Sequence, residues 1–169
     1  GLPPDFMTTA KGLTSGYAPM GAVFVSDRIY QEMADAVPAD VPFGHGFTYS
    51  GHPVSAAVAL AVIKLYEGGL IENSKKVGPY FEAQLKTLAE HPVVGDIRAK
   101  GLLAAIEIVT NKETKAKPAK DKNVAGRLAA AGYKNGLIFR AFADDVIGLA
   151  PPICITEAEV DLLISRIRT

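Results

Sequence analysis

Residues 5–16, DFMTTAKGLTSG, carry the clearest structural signal in the chain. The segment opens with β-compatible side chains, which predict a short strand over residues 4–10, and it continues into a loop that contains Gly12 and Gly16. Lys11 stands where the predicted strand ends. The apolar run at residues 21–25, GAVFV, is typical of a buried strand. We expect both strands to belong to a large parallel sheet.

Helix signals follow these two strands. Ser26 is the predicted N-cap of a helix that reaches about Ala36. Residues 37–51 are rich in proline and glycine and should be irregular. Pro53 suits the first turn of a second helix that runs to about Glu67. This helix is apolar almost all round, which predicts deep burial, and the alternation of strands and helices predicts an α/β fold.

The second half of the chain has a different pattern. Apolar residues at helical spacing predict an amphipathic helix over residues 70–90, followed by two antiparallel strands that meet around Gly101. The change of pattern near residues 68–75 predicts two domains, residues 1–70 and residues 71–169. The remaining predicted elements are a solvated lysine-rich loop at 110–122, a helix at 123–135 closed by Gly136, strands at 137–140 and 146–149, and a last helix with a Thr156–Glu159 capping box.

Composition excludes several kinds of partner and site. The 169 residues carry 18 basic and 18 acidic side chains, so no net field attracts nucleic acid or an acidic membrane. The single cysteine, Cys154, excludes an internal disulfide, and three scattered histidines give no metal site. No apolar run approaches the ~20 residues that span a bilayer. We therefore expect a cytoplasmic protein without nucleic-acid or membrane partners, and the start at Gly1 suggests part of a longer chain.

Lys11 is the first candidate for chemistry. A lysine at the end of a buried strand can lie in a cleft, where desolvation frees its amine as a nucleophile for a Schiff base with an aldehyde cofactor. By local pattern alone, an ordinary loop lysine is the favoured interpretation. A nucleotide phosphate loop is excluded by order, because the glycines of that motif precede the lysine and here they follow it.

Residues 45–53, HGFTYSGHP, form a second candidate site. Small residues let backbone N–H groups approach an anion, and hydroxyl groups add further donors, so a phosphate site is one interpretation. A hydroxyl-rich turn that caps the next helix is the other. Metal binding by His45 and His52 is disfavoured by their spacing, and Ser50 with His52 gives no sign of a catalytic pair.

Together these segments resemble class III pyridoxal-phosphate aminotransferases, especially the ω-transaminases. The resemblance rests on residues 5–22, which are similar to the lysine signature of that family, and on residues 45–53, which are similar to its phosphate-contacting loop. Residues 136–140 and 150–159 resemble its C-terminal domain. The similarity covers essentially the whole chain. It implies the C-terminal piece of a fold type I large domain at residues 1–70, followed by the small α+β domain.

The resemblance also implies roles for single residues. Lys11 would form the Schiff base with pyridoxal phosphate and afterwards carry the proton between substrate and cofactor. Thr48 would bind the cofactor phosphate of the neighbouring subunit in a homodimer with shared active sites, and Phe47 would shape that loop. Arg140 is similar to an arginine that pairs with the substrate carboxylate, which suits a guanidinium fork. A structural ion pair is the alternative for Arg140.

Other features of the family are not identifiable in these residues. Upstream sequence in the family supplies a phosphate cup, an aromatic side chain that stacks on the cofactor ring, and an acid that keeps the ring nitrogen protonated. An N-terminal remainder of the same enzyme is thus an expected partner. Without it, the strands near Met7 and at residues 23–25 should expose apolar faces, and the helix at 54–66 should lack partner surface.

Three functional hypotheses follow. The first is the C-terminal part of an aminotransferase that moves an amino group from an ω-amino acid or amine to a keto acid such as pyruvate. The second is an aminomutase of the same fold, which releases no keto product. The third is a catalytically incomplete fragment that folds or associates but does not turn over.

Overall fold

A computed structural model describes residues 2–38 and 40–169. The chain divides into two compact units, Gly1–Gly68 and Gly69–Thr169. The assignment of these parts to a large and a small domain, with a boundary at residue 70, stays a prediction.

The first unit contains one pair of strands. Strand β1 (Phe6–Thr9) pairs antiparallel with β2 (Ala22–Val25), with Phe6 opposite Val25. The expected parallel arrangement is wrong for this pair. The connection between the two strands holds only a 3-10 turn, whereas a parallel pair needs a crossover of a dozen or more residues, usually a helix.

Two helices complete this unit. Helix α1 (Asp27–Ala36) begins as predicted, with the Ser26 hydroxyl accepting a hydrogen bond from the Ile29 N–H. The Arg28 guanidinium binds Asp5 at 2.8 Å, and this hydrogen bond holds the pKa of that carboxyl below its ordinary value. Helix α2 (Pro53–Leu65) begins at Pro53, also as predicted.

The predicted deep burial of this unit is wrong for the residues described. Val23 is 62% exposed, Phe24 is 54% exposed and Leu60 in α2 is 61% exposed. Two short strands and two helices provide too few layers to cover both faces of a sheet. The expectation that these apolar surfaces are exposed without the upstream sequence is confirmed for the described residues.

One helical run, Pro53–Glu90, is long and apolar enough by composition to cross a membrane. This finding differs from the expectation drawn from the sequence. The run is interrupted by a π-turn at Tyr66–Leu70, where Gly69 has a φ of 119°. It is weak grounds for a membrane span, because the core helix of a globular protein meets the same criterion.

The second unit is an α+β layer around a four-stranded antiparallel sheet. Its strands are β3 (Val94–Lys100), β4 (Leu103–Ile108), β5 (Arg140–Phe142) and β6 (Val146–Leu149), arranged in the order β3-β4-β6-β5. Its helices are α3 (Ile71–Lys86), α4 (Val124–Lys134) and α5 (Glu157–Arg168). The antiparallel hairpin around Gly101 is confirmed, and Gly101 lies in the left-handed region with a φ of 59°.

The core of this unit lies between the sheet and two helices. Phe81 and Leu85 from α3 meet Ile106 from β4 and Val160 from α5, and all four are almost fully buried. The amphipathic pattern of residues 70–90 therefore predicted the correct buried face. The capping box is confirmed too: Thr156 and Glu159 exchange hydrogen bonds at the start of α5.

The strand predicted at residues 137–140 is displaced along the chain. Leu137 instead closes the end of α4, donating its N–H to the Gly132 carbonyl at 2.8 Å, and its side chain is buried. Pairing with β6 begins only at Arg140, opposite Gly148. Arg140 is thus the first residue of its strand rather than the last.

Candidate active site

Lys11 begins a 3-10 turn directly after β1. Its φ of 51° lies in the left-handed region, which is uncommon for a residue with a Cβ. The side chain is exposed, and no ion pair or hydrogen bond engages its Nζ within residues 2–38 and 40–169. The cleft that the sequence predicted around Lys11 is therefore not formed by these residues.

Thr14 fixes the loop that follows Lys11. Its N–H donates to the Lys11 carbonyl at 3.3 Å, and its hydroxyl donates to the Ala18 carbonyl at 2.5 Å. Thr14 is 2% exposed, which is unusual for a polar side chain in a unit where most side chains are exposed. Sequence reasoning missed this residue, although its place within the glycine-bearing loop was a signal that could have found it.

Tyr66 also contacts this loop. Its hydroxyl donates to the Gly12 carbonyl at 2.6 Å, across 54 positions of sequence. Tyr66 lies just beyond the end of α2, at the start of the π-turn. No sequence pattern links two residues so far apart, so this contact could not have been predicted from periodicity or motif.

Thr48 lies in a hydrogen-bonded turn that leads to α2. The Phe47 N–H donates to the Ser50 hydroxyl, and the Ser50 N–H donates to the Phe47 carbonyl, both at 2.9 Å. Thr48 itself is exposed, and no hydrogen bond engages its hydroxyl in the part of the chain described. The turn precedes the positive end of the α2 dipole, which favours an anion nearby.

Two aromatic rings flank this turn. The ring of Phe47 meets the ring of His45 edge to face at 5.4 Å between centroids. His52 caps α2, its Nδ1 accepting the Ser55 N–H at 3.4 Å. The helix-capping interpretation of residues 45–53 is thus satisfied by His52, which leaves the Thr48 hydroxyl available for a ligand.

Arg140 is exposed on strand β5. Its guanidinium carbon lies 5.2 Å from the centroid of the Phe142 ring, in a cation–π arrangement. No carboxylate pairs with Arg140 among the described residues, so the structural ion pair is not observed there. Lys11 and Thr48 belong to the first unit and Arg140 to the second, and no described hydrogen bond joins Lys11 to Thr48.

These side chains fit the chemistry of pyridoxal phosphate. An unengaged primary amine at Lys11 suits the aldehyde of the cofactor, and the available hydroxyl of Thr48 suits an oxygen of its phosphate. An unpaired guanidinium at Arg140 suits a substrate carboxylate. All three polar groups are accessible in the residues described.

Known proteins resemble this chain along its whole length. The pattern of the class-III aminotransferases matches residues 1–169. A putrescine–pyruvate aminotransferase of Pseudomonas aeruginosa is 45% identical over 170 residues, a match that covers 99% of this chain and 36% of that protein. The chain thus spans little more than a third of the length of this curated relative.

The backbones of solved transaminase structures also superpose on this chain. An (S)-enantioselective ω-transaminase from Thermomicrobium roseum superposes with a TM-score of 0.90 at 43% identity, covering 99% of this chain and 37% of that one. The PMP-bound form of an aminotransferase from Vibrio fluvialis gives a TM-score of 0.92 at 36% identity, with the same two coverages. The predicted α/β class, as the C-terminal part of fold type I, is confirmed, and the chain belongs to the class-III aminotransferase family.

Proposed function

We propose that this chain is the lysine-bearing part of a pyridoxal-phosphate-dependent aminotransferase. The enzyme moves an amino group from an ω-amino acid or amine to a keto acid such as pyruvate. Family membership supports the reaction class, and the relative named for putrescine and pyruvate supports the kind of substrate. The observation that carries the proposal is the position of Lys11, an unengaged amine at the junction of a strand and a tight turn.

Lys11 would hold the cofactor covalently through Nζ. When bound, pyridoxal phosphate supplies an electron sink for the negative charge that develops on the substrate carbon beside the nitrogen. The Nζ of Lys11 would accept the proton that leaves that substrate carbon and would pass it on as a general acid. A single flexible amine suits both tasks, because it is a nucleophile and a base.

Thr48 would hold the phosphate group. Its hydroxyl is a donor without a described partner, in a turn before the positive end of α2. We place this contact in the active site of the neighbouring subunit, so that the working enzyme is a homodimer with shared sites. Phe47 shapes the turn through its two hydrogen bonds to Ser50.

Arg140 would bind the carboxylate of a donor or acceptor. The planar guanidinium offers two parallel N–H groups to two carboxylate oxygens. In the structure it lies over the Phe142 ring, an interaction worth about 0.5–1 kcal/mol at an exposed site. A charge-assisted hydrogen bond is stronger than that, so a substrate carboxylate can draw Arg140 away from the ring.

The rest of the site would come from outside these residues. A group that protonates the cofactor ring nitrogen and an aromatic side chain that stacks on the ring belong to the N-terminal remainder of the enzyme. The apolar surfaces of β2 and α2 give that remainder a place to pack.

We place the enzyme in the cytoplasm, which fractionation of the source cells would test.

The proposal is tested with a full-length enzyme that carries this segment. The purified enzyme is incubated with putrescine or an ω-amino acid, with and without pyruvate, and the products are identified by mass spectrometry. With pyruvate we expect alanine and the carbonyl form of the donor in equal amounts, and without pyruvate no more carbonyl product than there is enzyme. A rearranged amine without any carbonyl product would instead identify an aminomutase and contradict the proposal.

A further inference from the structure

The contact between Tyr66 and Gly12 connects the end of α2 to the turn that carries Lys11. The phenol oxygen lies 2.6 Å from the Gly12 carbonyl. A Cβ at position 12 would lie 3.4 Å from the same oxygen, so glycine leaves room for the hydroxyl to approach. The hydrogen bond therefore fixes the Gly12–Leu13 peptide, one residue beyond Lys11.

This turn needs support because of the conformation of Lys11. With a φ of 51°, Lys11 is in a region that residues with a Cβ populate rarely and at a cost in free energy. Such conformations persist only when surrounding contacts determine them. Within the turn, Leu13 donates to the Ala10 carbonyl at 3.1 Å and Thr14 to the Lys11 carbonyl at 3.3 Å.

The hydrogen bond from Tyr66 differs from these local bonds because its donor lies outside the turn. Local bonds move with the turn if the turn relaxes, whereas Tyr66 is attached to the 13-residue helix α2. The same helix is connected to the loop at a second point, where the Ser55 hydroxyl donates to the Pro19 carbonyl at 3.2 Å. Helix α2 and the residue that follows it thus hold the loop after Lys11 at two points.

We propose that Tyr66 is a positioning residue for Lys11. By holding the Gly12 carbonyl, its hydroxyl keeps Lys11 in the left-handed conformation and so sets the direction in which the side chain leaves the backbone. Tyr66 does not touch the cofactor and acts only through Lys11. This inference rests on the proposed function, in which Lys11 holds pyridoxal phosphate covalently.

The test compares Tyr66→Phe with the unmodified full-length enzyme, because this change removes only the hydroxyl. Cofactor-free enzyme is mixed with pyridoxal phosphate and quenched with borohydride at timed intervals. The pyridoxyl group on Lys11 is then measured by peptide mass spectrometry. We expect the rate of covalent capture to fall about fivefold, the effect of losing one net hydrogen bond of about 1 kcal/mol. The amides of Leu13 and Thr14 should exchange hydrogen faster.

A second pair of variants separates positioning from direct contact. Cofactor affinity is measured in Lys11→Ala and in Lys11→Ala with Tyr66→Phe, where no covalent capture on residue 11 is possible. We expect equal affinities, because Tyr66 acts through Lys11 alone. Tyr133→Phe, which removes an exposed phenol on α4, is the matched control and should leave the capture rate unchanged.

Three results would overturn the inference. One is an unchanged capture rate in Tyr66→Phe, and another is a loss of affinity in the Lys11→Ala background, which would place Tyr66 against the cofactor. The third is an equal slowing in Tyr133→Phe, which would make the effect unspecific. Failure of the unmodified enzyme to capture any cofactor on Lys11 would instead contradict the proposed function itself.

Discussion

Lys11 occupies a backbone conformation that costs about 1–3 kcal/mol for a residue with a Cβ. The hydrogen bonds of two hydroxyl groups offset this cost. Thr14 lies inside the turn, and Tyr66 directly follows helix α2. Strain of this kind clusters at active sites, where it fixes the direction of a reactive side chain. The energetics of the turn therefore agree with a catalytic role for the residue that bears the strain.

The role of Thr48 gives the first prediction. A hydroxyl that donates to a charged phosphate contributes about 1.5–3 kcal/mol, so Thr48→Ala should weaken cofactor affinity roughly tenfold to a hundredfold. Equilibrium dialysis of the full-length enzyme against pyridoxal phosphate measures this. Thr48→Ser keeps the hydroxyl and should retain most of the affinity. If Thr48→Ala binds as tightly as the unmodified enzyme, Thr48 is a turn residue only.

The role of Arg140 gives the second prediction. Arg140→Ala should raise KM for pyruvate and for carboxylated donors roughly tenfold to a hundredfold, because a charge-assisted hydrogen-bonding partner is lost. An uncharged amine donor, measured in the half-reaction, should be spared. Arg140→Lys keeps the charge without the planar fork and should give an intermediate KM. Equal losses for charged and uncharged donors would make Arg140 structural.

The sequence predicts which side chains carry the chemistry of the candidate site and leaves the geometry of that site open. Lys11, Thr48 and Arg140 were identified through the resemblance to the class III aminotransferases, because local pattern alone favoured a loop lysine and a capping turn. The left-handed backbone at Lys11 and the Tyr66 contact leave none. Both depend on packing between segments that are far apart in the chain, which single-sequence periodicity does not record.

At the scale of helices and strands, local signals located the starts of three helices well. Ser26, Pro53 and Thr156 each begin the helix that the sequence predicted, because capping depends on neighbouring residues alone. Burial was predicted less well. The apolar runs of β2 and α2 indicate that these segments are buried in the complete enzyme, whereas the described residues leave them largely exposed. Cover is a property of the whole assembly.

Strand β4 carries a charged cluster that gives the third prediction. Glu107 binds Lys117 at 2.6 Å and Arg98 at 2.8 Å, and these hydrogen bonds, that of Lys117 first, lower the pKa of Glu107 from 4.5 to about 2. Because the pKa of Glu107 is lower in the folded state, its two ion pairs stabilise the fold above pH 4.5. That contribution is lost as the pH falls from about 4.5 to 2.

Urea unfolding of the full-length enzyme, followed by circular dichroism, measures this effect. Near pH 6, Glu107→Gln should lower the urea concentration at the midpoint of unfolding. The difference in this midpoint between the variant and the unmodified protein should shrink as the pH approaches 2. Glu113→Gln, at a carboxylate without an ion pair in the described residues, is the control and should show no such trend. A difference that stays constant with pH would mean that Glu107 contributes packing rather than charge.

At the scale of the whole molecule, the two units differ in how far they are self-sufficient. The second unit has a continuous core built from α3, α5 and the sheet. The first unit leaves large apolar side chains of β1, β2 and α2 exposed. Exposed apolar surface of this extent marks an interaction site or a tendency to aggregate. The chain spans 36% of a curated relative, and the rest of that length is the expected partner.

The fourth prediction is that the 169-residue chain alone does not transaminate. It offers the lysine and part of a phosphate site, whereas catalysis also needs a protonated ring nitrogen and shielding from water. Purified alone, the chain should aggregate or bind pyridoxal phosphate poorly, as size-exclusion chromatography and absorbance would show. A monodisperse preparation of this chain that converts amines and keto acids would contradict the prediction.

The fifth prediction concerns the covalent bond between Lys11 and the cofactor. The full-length enzyme, loaded with pyridoxal phosphate, is reduced with borohydride, digested and mapped by mass spectrometry. We expect one pyridoxyl group, on Lys11, and none in Lys11→Ala, which should bind some cofactor without covalent attachment and show no turnover. A pyridoxyl group on another lysine, with Lys11 unmodified in the active enzyme, would show that Lys11 does not hold the cofactor.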